Sequence, residues 1–238
     1  MRSSSRLTVC RSALGTTEAS ELWAEAPQLL RITGRSTPDG PLTVHLVGGA
    51  AGPLGGDDSE FVLNVGPGAQ LCVRSVAATL AQPGAHPGAP ASRATVRVRV
   101  AAGAVLDWQP EPIIAVEGCK HSLHTVLEVD EGASVVWGET IVCGRFGEAT
   151  GSLWSRQRIT VSGSPVLDHE VRVGEQCTGP GWHGTARHIS SLVRVGPPSA
   201  DAHALHGTTG NGAAIAAGVR TASFEPAPGV RMELVLRD

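Results

Sequence analysis

Tyrosine is absent from this 238-residue chain, and 3 Phe and 5 Trp are its whole stock of aromatic residues. A groove that stacks sugar rings on aromatic faces has little to be built from, and any core must be mostly Val, Leu, Ile and Ala. Charge is scarce as well: Asp, Glu, Lys and Arg make up 17% of residues, against about a quarter in an average domain. The formal net charge of −3 leaves no basic footprint for nucleic acid. Apolar runs fall well short of the roughly 18 residues that a membrane-spanning helix needs. The opening stretch, "MRSSSRLTVCRSALG", lacks the apolar core of a signal peptide. The five cysteines (Cys10, Cys72, Cys119, Cys143, Cys177) are odd in number and form no C-x-x-C pair. That fits a cytoplasmic chain with free thiols better than a disulfide scaffold.

What is present is a repeat. "LNVGPGAQLCV" from Leu63, "VRVAAGAVLDW" from Val98, "LEVDEGASVVW" from Leu127 and "ITVSGSPVLDH" from Ile159 align at intervals of about 30 residues. Each reads apolar-x-Val, a Gly-containing turn, a small residue, then an apolar strand start, and the fourth turn is one residue shorter. Apolar residues alternate within each unit, as Val96, Val98 and Val100 do with Thr95, Arg97 and Arg99 between them. Period two means strands with one buried face. A Gly turn between two such strands is a corner or a hairpin. The chain therefore reads as a single, mostly β domain over residues 1–238. Its architecture is an irregular β-helix or solenoid-like stack of strand pairs, with a closed sandwich or barrel as the other option. The core is expected over about 20–200, a short helical element over about 201–217 ("ADAHALHG", "GAAIAAGV") and a final strand over about 218–236. Residues 82–92 and 174–184, rich in Gly and Pro, read as loops.

Several stretches invite a chemical reading. "VGGAAGPLGGDDSE" (Val47–Glu60) lacks the Lys-Ser/Thr ending of a phosphate loop and runs into a strand, not a helix. Gly55 and Gly56 instead let the backbone turn sharply and place Asp57 and Asp58 beside it. In "CKHSLHTV", a strand puts Cys119 and His121 on one face and His124 on the other. Only two ligands then converge, where a closed metal site needs about four, so the segment reads as a solvated strand edge. "HALH" (His203–His206) places two imidazoles on one helical face with no acidic partner following. Asp57, Glu111, Glu139 and Glu148 adjoin Gly or Pro and read as exposed turn carboxylates, with acid–base work as the alternative. No G-x-S-x-G elbow is present. In "CGRFGEATG", Gly144 and Gly147 permit positive φ or close backbone approach, and Arg145 can grip a carboxylate bidentately. A turn stapled by Arg145 and Glu148, and a docking point for a partner, both fit those residues.

Taken together, the ordered motifs "VHLVGGAAGPLGGDD", "NVGPGAQLCVRS", "GAVLDWQPEPII" and "GRFGE" resemble the urease accessory protein UreD (UreH) family, from about Leu42 to Gly196. The Lys and aromatic residue that the family often carries after the second turn have no counterpart in "RSVAATLAQPG". The resemblance implies a β-helix-like fold and a non-enzymatic chaperone. It implies that the chain scaffolds apo-urease with UreF-like and UreG-like accessory proteins and helps deliver nickel to the urease active site. Under that reading no cofactor is tightly bound. Ni2+ is held weakly and in passing by carboxylates such as Asp57, Glu111 and Glu148, since hard oxygen ligands and water suit passage better than storage. Gly55, Gly56, Gly144, Arg145 and Gly147 shape turns or meet a partner. The rival reading is a β-solenoid carbohydrate-active enzyme, against which the lack of aromatics weighs.

Overall fold

Period-two patterning is realised in many of the strands. The computed structural model describes residues 1–34, 36–38, 40–86, 88–174, 177, 185–196 and 219–238, and every helix or strand it assigns among them is a strand. In chain order these are β1 (Arg2–Arg11), β2 (Thr17–Ala24), β3 (Gln28–Gly34), β4 (Leu42–Gly48), β5 (Asp58–Val65), β6 (Gln70–Ser75), β7 (Thr79–Ala81), β8 (Ser92–Val100), β9 (Val105–Trp108), β10 (Ile113–Ala115), β11 (Lys120–Val129), β12 (Ser134–Val142), β13 (Ser152–Val161), β14 (Ser164–Val173), β15 (His188–Val195), β16 (Val219–Ala227) and β17 (Val230–Arg237).

They form two facing sheets. The first runs β14-β13-β11-β8-β5-β1-β2, and the second runs β16-β17-β15-β12-β9-β6-β4-β3, with β7 and β10 forming a side branch on β12. Strands β5, β8, β11 and β13 are parallel neighbours in the first sheet, and β4, β6, β9 and β12 are parallel neighbours in the second. The chain alternates between the sheets as it advances, so each pass adds one strand to each. That is the solenoid-like stack expected from the repeat.

The repeated Gly turns are its corners. Residues 66–69, 101–104 and 130–133 each close with a backbone hydrogen bond from the fourth residue to the first. In each the third residue is a glycine with φ of 65–76° (Gly68, Gly103, Gly132), a left-handed conformation that favours glycine. The small residue that follows (Ala69, Ala104, Ala133) is buried beneath the corner. The shorter fourth turn does something else. Ser162 and Gly163 both have positive φ, the signature of a two-residue hairpin turn. There β14 folds back antiparallel on β13 and ends the parallel run.

Inward positions near the corners are Leu, Val and Ile: Leu63, Val65, Val98, Val100, Leu127, Val129 and Ile159 are all buried in one large core. At the far end of the same strands the inward residues turn polar, with Ser92 on β8, His121 on β11 and Ser155 and Gln157 on β13, all buried. A smaller apolar cluster that includes Ile141, Cys143, Leu153 and Ile189 lies beyond them.

Three expectations meet this structure differently. Packing starts earlier than residue 20, since Leu7 and Val9 of β1 are fully buried. The stretch expected as one final strand over 218–236 is two, β16 and β17, because Pro226, Pro228 and Gly229 break it into a hairpin with Gly229 at φ 71°. The helical element expected over 201–217 lies outside the described residues, as does "HALH".

Candidate functional site

Sheet two breaks twice at one level. β6 gives way to β7 around Ala77, and β9 gives way to β10 around Pro110, while β12 runs on unbroken and pairs with β9 at one end and β10 at the other. Proline explains the second break, because the "QPEP" run cannot donate a ladder hydrogen bond at two positions. Behind these breaks, between the sheets, lies a cavity of about 330 Å³. The loops around Gly52, Ala78 and Glu111 rim it, and Trp108 and Trp137 form part of its wall.

Three titratable side chains line this cavity: Glu111, His121 and Glu139. His121 points in from the middle of sheet one and is buried. Its Nδ1 lies 2.8 Å from the Ser92 hydroxyl, its Nε2 has no hydrogen-bond partner in the protein, and burial pushes its pKa down to about 4. The segment expected to be a solvated edge is therefore interior. β11 is flanked on both sides by parallel strands that come from 28 to 32 residues away in the chain, as Ser92–Lys120 and Lys120–Ser152 contacts illustrate. The face assignment itself stands: Cys119 and His121 are inside, whereas His124 sits edge-on to Trp154 outside, with ring centroids 4.7 Å apart.

Glu139 is interior as well, contrary to its reading as an exposed turn carboxylate. It follows Trp137 on the inward side of β12, and its remaining accessible surface faces the cavity. Burial pushes its pKa up, and hydrogen bonds from Ser155 and Gln157 partly offset that rise. The Ser155 Oγ–Glu139 Oε1 bond, 2.6 Å long, crosses from one sheet to the other. Gln157 Nε2 reaches Ser191 in the same way at 3.3 Å, and the Thr125 hydroxyl beside the cavity has no partner. Ser92, Ser155 and Gln157 belong to no motif of the sequence, and Thr125 lies in "CKHSLHTV" without being one of its candidate ligands. The one signal they carry is a polar residue at an inward position of an alternating strand, such as Gln157 between Ser155 and Ile159.

The three carboxylates expected to handle nickel are not brought together. Glu111 stands at the cavity rim, its backbone N–H bonded to Ser75 Oγ at 2.7 Å. Asp57 lies beside the Gly-rich loop and accepts from the Met1 ammonium at 2.7 Å and from the Leu54 N–H at 2.9 Å. Burial raises its pKa, but those two bonds outweigh it and the net effect is downward. Glu148 is held by Arg145, which keeps its pKa low. Among the described residues, no three of His, Cys, Asp and Glu cluster tightly enough to hold a metal ion.

"GRFGE" is a stapled turn. The Glu148 N–H bonds to the Arg145 carbonyl at 3.1 Å, and the Arg145 guanidinium grips the Glu148 carboxylate through Nε at 2.8 Å and through Nη2. Arg187, which no sequence signal marks, braces the turn from outside by donating to the carbonyls of Arg145 and Glu148. Phe146 at its tip is fully exposed. The two glycines are unlike. Both have positive φ, 77° and 79°, but a Cβ on Gly144 would meet the Ala149 carbonyl oxygen at 2.7 Å, whereas one on Gly147 meets nothing within 4 Å. Gly147→Ala is expected to cost about 1 kcal/mol from backbone strain alone, and Gly144→Ala about 2–3 kcal/mol from strain plus the clash. Urea titration of both variants checks this, and equal losses would contradict it. Near the other loop, Gly55 packs on the Gly84 backbone (2.6 Å from an added Cβ to the Gly84 nitrogen) and Gly56 has φ 89°.

Comparison with known proteins accords with these features. The family model described as UreD urease accessory protein matches residues 2–230. A urease accessory protein UreD from Frankia alni is 38% identical over 255 residues, covering 92% of this chain and 82% of the relative. The UreD of Streptomyces avermitilis is 38% identical, covering 83% of this chain and 78% of its own. UreD 1 of Saccharopolyspora erythraea is 35% identical, covering 82% and 77%. With a match of that extent, the chain belongs to the UreD family of urease accessory proteins, which are not enzymes.

Proposed function

We propose that this chain acts in the cytoplasm as a nickel-insertion chaperone. It scaffolds the urease structural subunits with UreF-like and UreG-like partners, and it passes Ni2+ through the interior cavity toward the urease active site. The observation that carries the reading is the cavity itself. Glu111, His121 and Glu139 line it, so carboxylates of the kind suited to passing a hydrated divalent ion stand at an opening between the two sheets. Family membership supplies the link to urease. A carbohydrate-active solenoid is disfavoured by the placement of the tryptophans: Trp108 and Trp137 are buried in a stack, not laid along an open groove. No helix among the described residues is long and apolar enough to cross a membrane.

The test is a strain lacking this chain and any paralogue, assayed for urease at limiting nickel and complemented with the wild type. Loss of activity restored by the wild type is expected, and normal activation without the chain would refute the proposal. Glu148→Gln then assigns the "GRFGE" turn. If that carboxylate serves ion passage, the accessory complex still co-purifies and activation at limiting nickel is slowed. A lost complex moves the turn to the docking surface, and intact complex with full activation leaves Glu148 as the staple seen here.

A further inference from the structure

The end of the stack formed by β2 and β3 is open among the described residues. β2 is the last strand of the first sheet and β3 the last of the second, so each offers a free backbone edge. Their inward side chains are laid bare there. Leu22, paired with the buried Leu7, is 40% exposed, and Ile32, paired with the buried Val44, is 47% exposed. Each edge is regular on one side of a bulge, over Glu21–Ala24 in β2 and over Gln28–Ile32 in β3. The strands also differ in charge. β2 carries Glu18 and Glu21 and no base, whereas β3 carries Arg31 and no acid. Glu21 is exposed, with Arg6 3.5 Å away, and Arg31 donates to its neighbour's carbonyl, that of Leu30, at 3.0 Å. Direction follows from the ladders. β2 opposes β1 and therefore β5, β3 opposes β4 and therefore β6, and β5 and β6 reverse across the corner at 66–69, so β2 and β3 run in opposite directions.

We propose that this end is an interface between two copies of the chain, in which β2 of one copy pairs antiparallel with β3 of the other about a two-fold axis parallel to the strands. Rotation about the strand direction keeps that direction and exchanges the two sheets. It therefore sets β2 beside a β3 that runs the opposite way, with the inward faces of both on the same side. Aligning the two regular segments places Leu22 opposite Leu30 and Ala24 opposite Gln28 on the inner face, and Glu21 opposite Arg31 and Trp23 opposite Leu29 on the outer face. Ile32 then comes opposite Ser20, the unpaired residue of the β2 bulge. One register thus matches leucine to leucine and acid to base, and the two-fold makes every contact occur twice. The other self-pairings fail on charge. β2 on β2 sets Glu18 and Glu21 against carboxylates, and β3 on β3 sets Arg31 against Arg31, and like charges directly opposed are destabilising.

The experiment is sedimentation equilibrium of the purified full-length chain and of two charge reversals, Glu21→Arg and Arg31→Glu. The wild type is expected to dimerise with concentration. Each reversal alone should raise the dimer dissociation constant at least about tenfold, since the pair is broken at both of its occurrences. Mixing the two variants is the decisive step. In the mixed dimer each new arginine faces a new glutamate and each native arginine a native glutamate, so association should return to the wild-type level. The chain carrying both reversals should dimerise as the wild type does, which also shows that the fold tolerates each change. A wild type that stays monomeric hands this edge to a different protein and overturns the proposal. A dimer that neither reversal weakens, or a mixture no tighter than its components, overturns it too. So does tighter association of Glu21→Arg alone, the result that β2-on-β2 pairing would give. None of these outcomes bears on the accessory role, which stands or falls with urease activation in cells.

Discussion

The metal-free protein is expected to lose about 3 kcal/mol of stability between pH 6.5 and pH 4 through His121 alone. Burial lowers the pKa of this imidazole from 6.5 to about 4 in the folded state. Between those two values the unfolded chain binds a proton that the folded chain refuses, so acid favours unfolding. A tenfold difference in proton affinity between the two states is worth about 1.4 kcal/mol. Contributions from the other groups near the cavity do not mimic this. The pKa of Glu139 is raised, so its contribution is full at acid pH and is lost as pH rises through its folded pKa, the opposite slope. Those of Asp57 and Glu148 are lowered, and what these groups contribute is lost only as pH falls below the ordinary carboxylate range. His169 is also lowered by burial and adds to the loss in wild type and variant alike. Urea unfolding of wild type and His121→Asn at pH 7 and pH 4 isolates the effect. The wild type should fall further than the variant by about 3 kcal/mol, and parallel losses would mean that His121 is solvated and free to protonate.

That imidazole also marks the limit of what the sequence could tell. Alternation places Cys119 and His121 on the same face of a strand, and the structure agrees. Whether that face meets water depends on what lies on either side of β11 and across from it, and those neighbours are set by the stack. The same holds for Glu139. Val135, Trp137, Glu139 and Ile141 share one side of β12 by period two, so an inward carboxylate is legible once the strand is drawn. Its partner Ser155 comes from the opposing sheet, and nothing local in "WSRQRITV" announces it. Corner and hairpin turns differ by one residue, which the alignment of the repeats shows, but their structural consequence does not follow from that count alone. The hairpin consumes the fourth copy. His169, at the position where the second and third copies carry Trp, therefore lies on β14 opposite Gln157 and never joins the stack.

Those two tryptophans carry the other large expected effect. Trp108 and Trp137 end the second and third copies of the repeat, and the parallel register pairs Val73 with Trp108 and Trp108 with Trp137. Stacking the copies therefore stacks the rings: their centroids are 4.6 Å apart at an interplanar angle of 5°, and Phe61 of the facing sheet closes on Trp108 at 5.8 Å. Trp137 is 2% exposed. Removing such a ring from a core ordinarily costs about 3–5 kcal/mol, and an aromatic pair adds about 0.5–1.5 kcal/mol beyond buried area. The indole nitrogen works the other way. Trp137 Nε1–H is buried without an acceptor, a burden that any substitution relieves by about 1–3 kcal/mol. Trp137→Ala is therefore expected near the lower end, a loss of about 3 kcal/mol. Trp137→Phe keeps a ring on Trp108 and sheds the orphan donor, so its two effects oppose each other and the change should stay within about 1 kcal/mol. Urea unfolding free energies of the two variants give the comparison. A Phe variant as unstable as the Ala variant would mean that the indole N–H finds a partner inside the cavity. An Ala variant as stable as the Phe variant would mean that the ring column is not what joins the second and third turns of the solenoid.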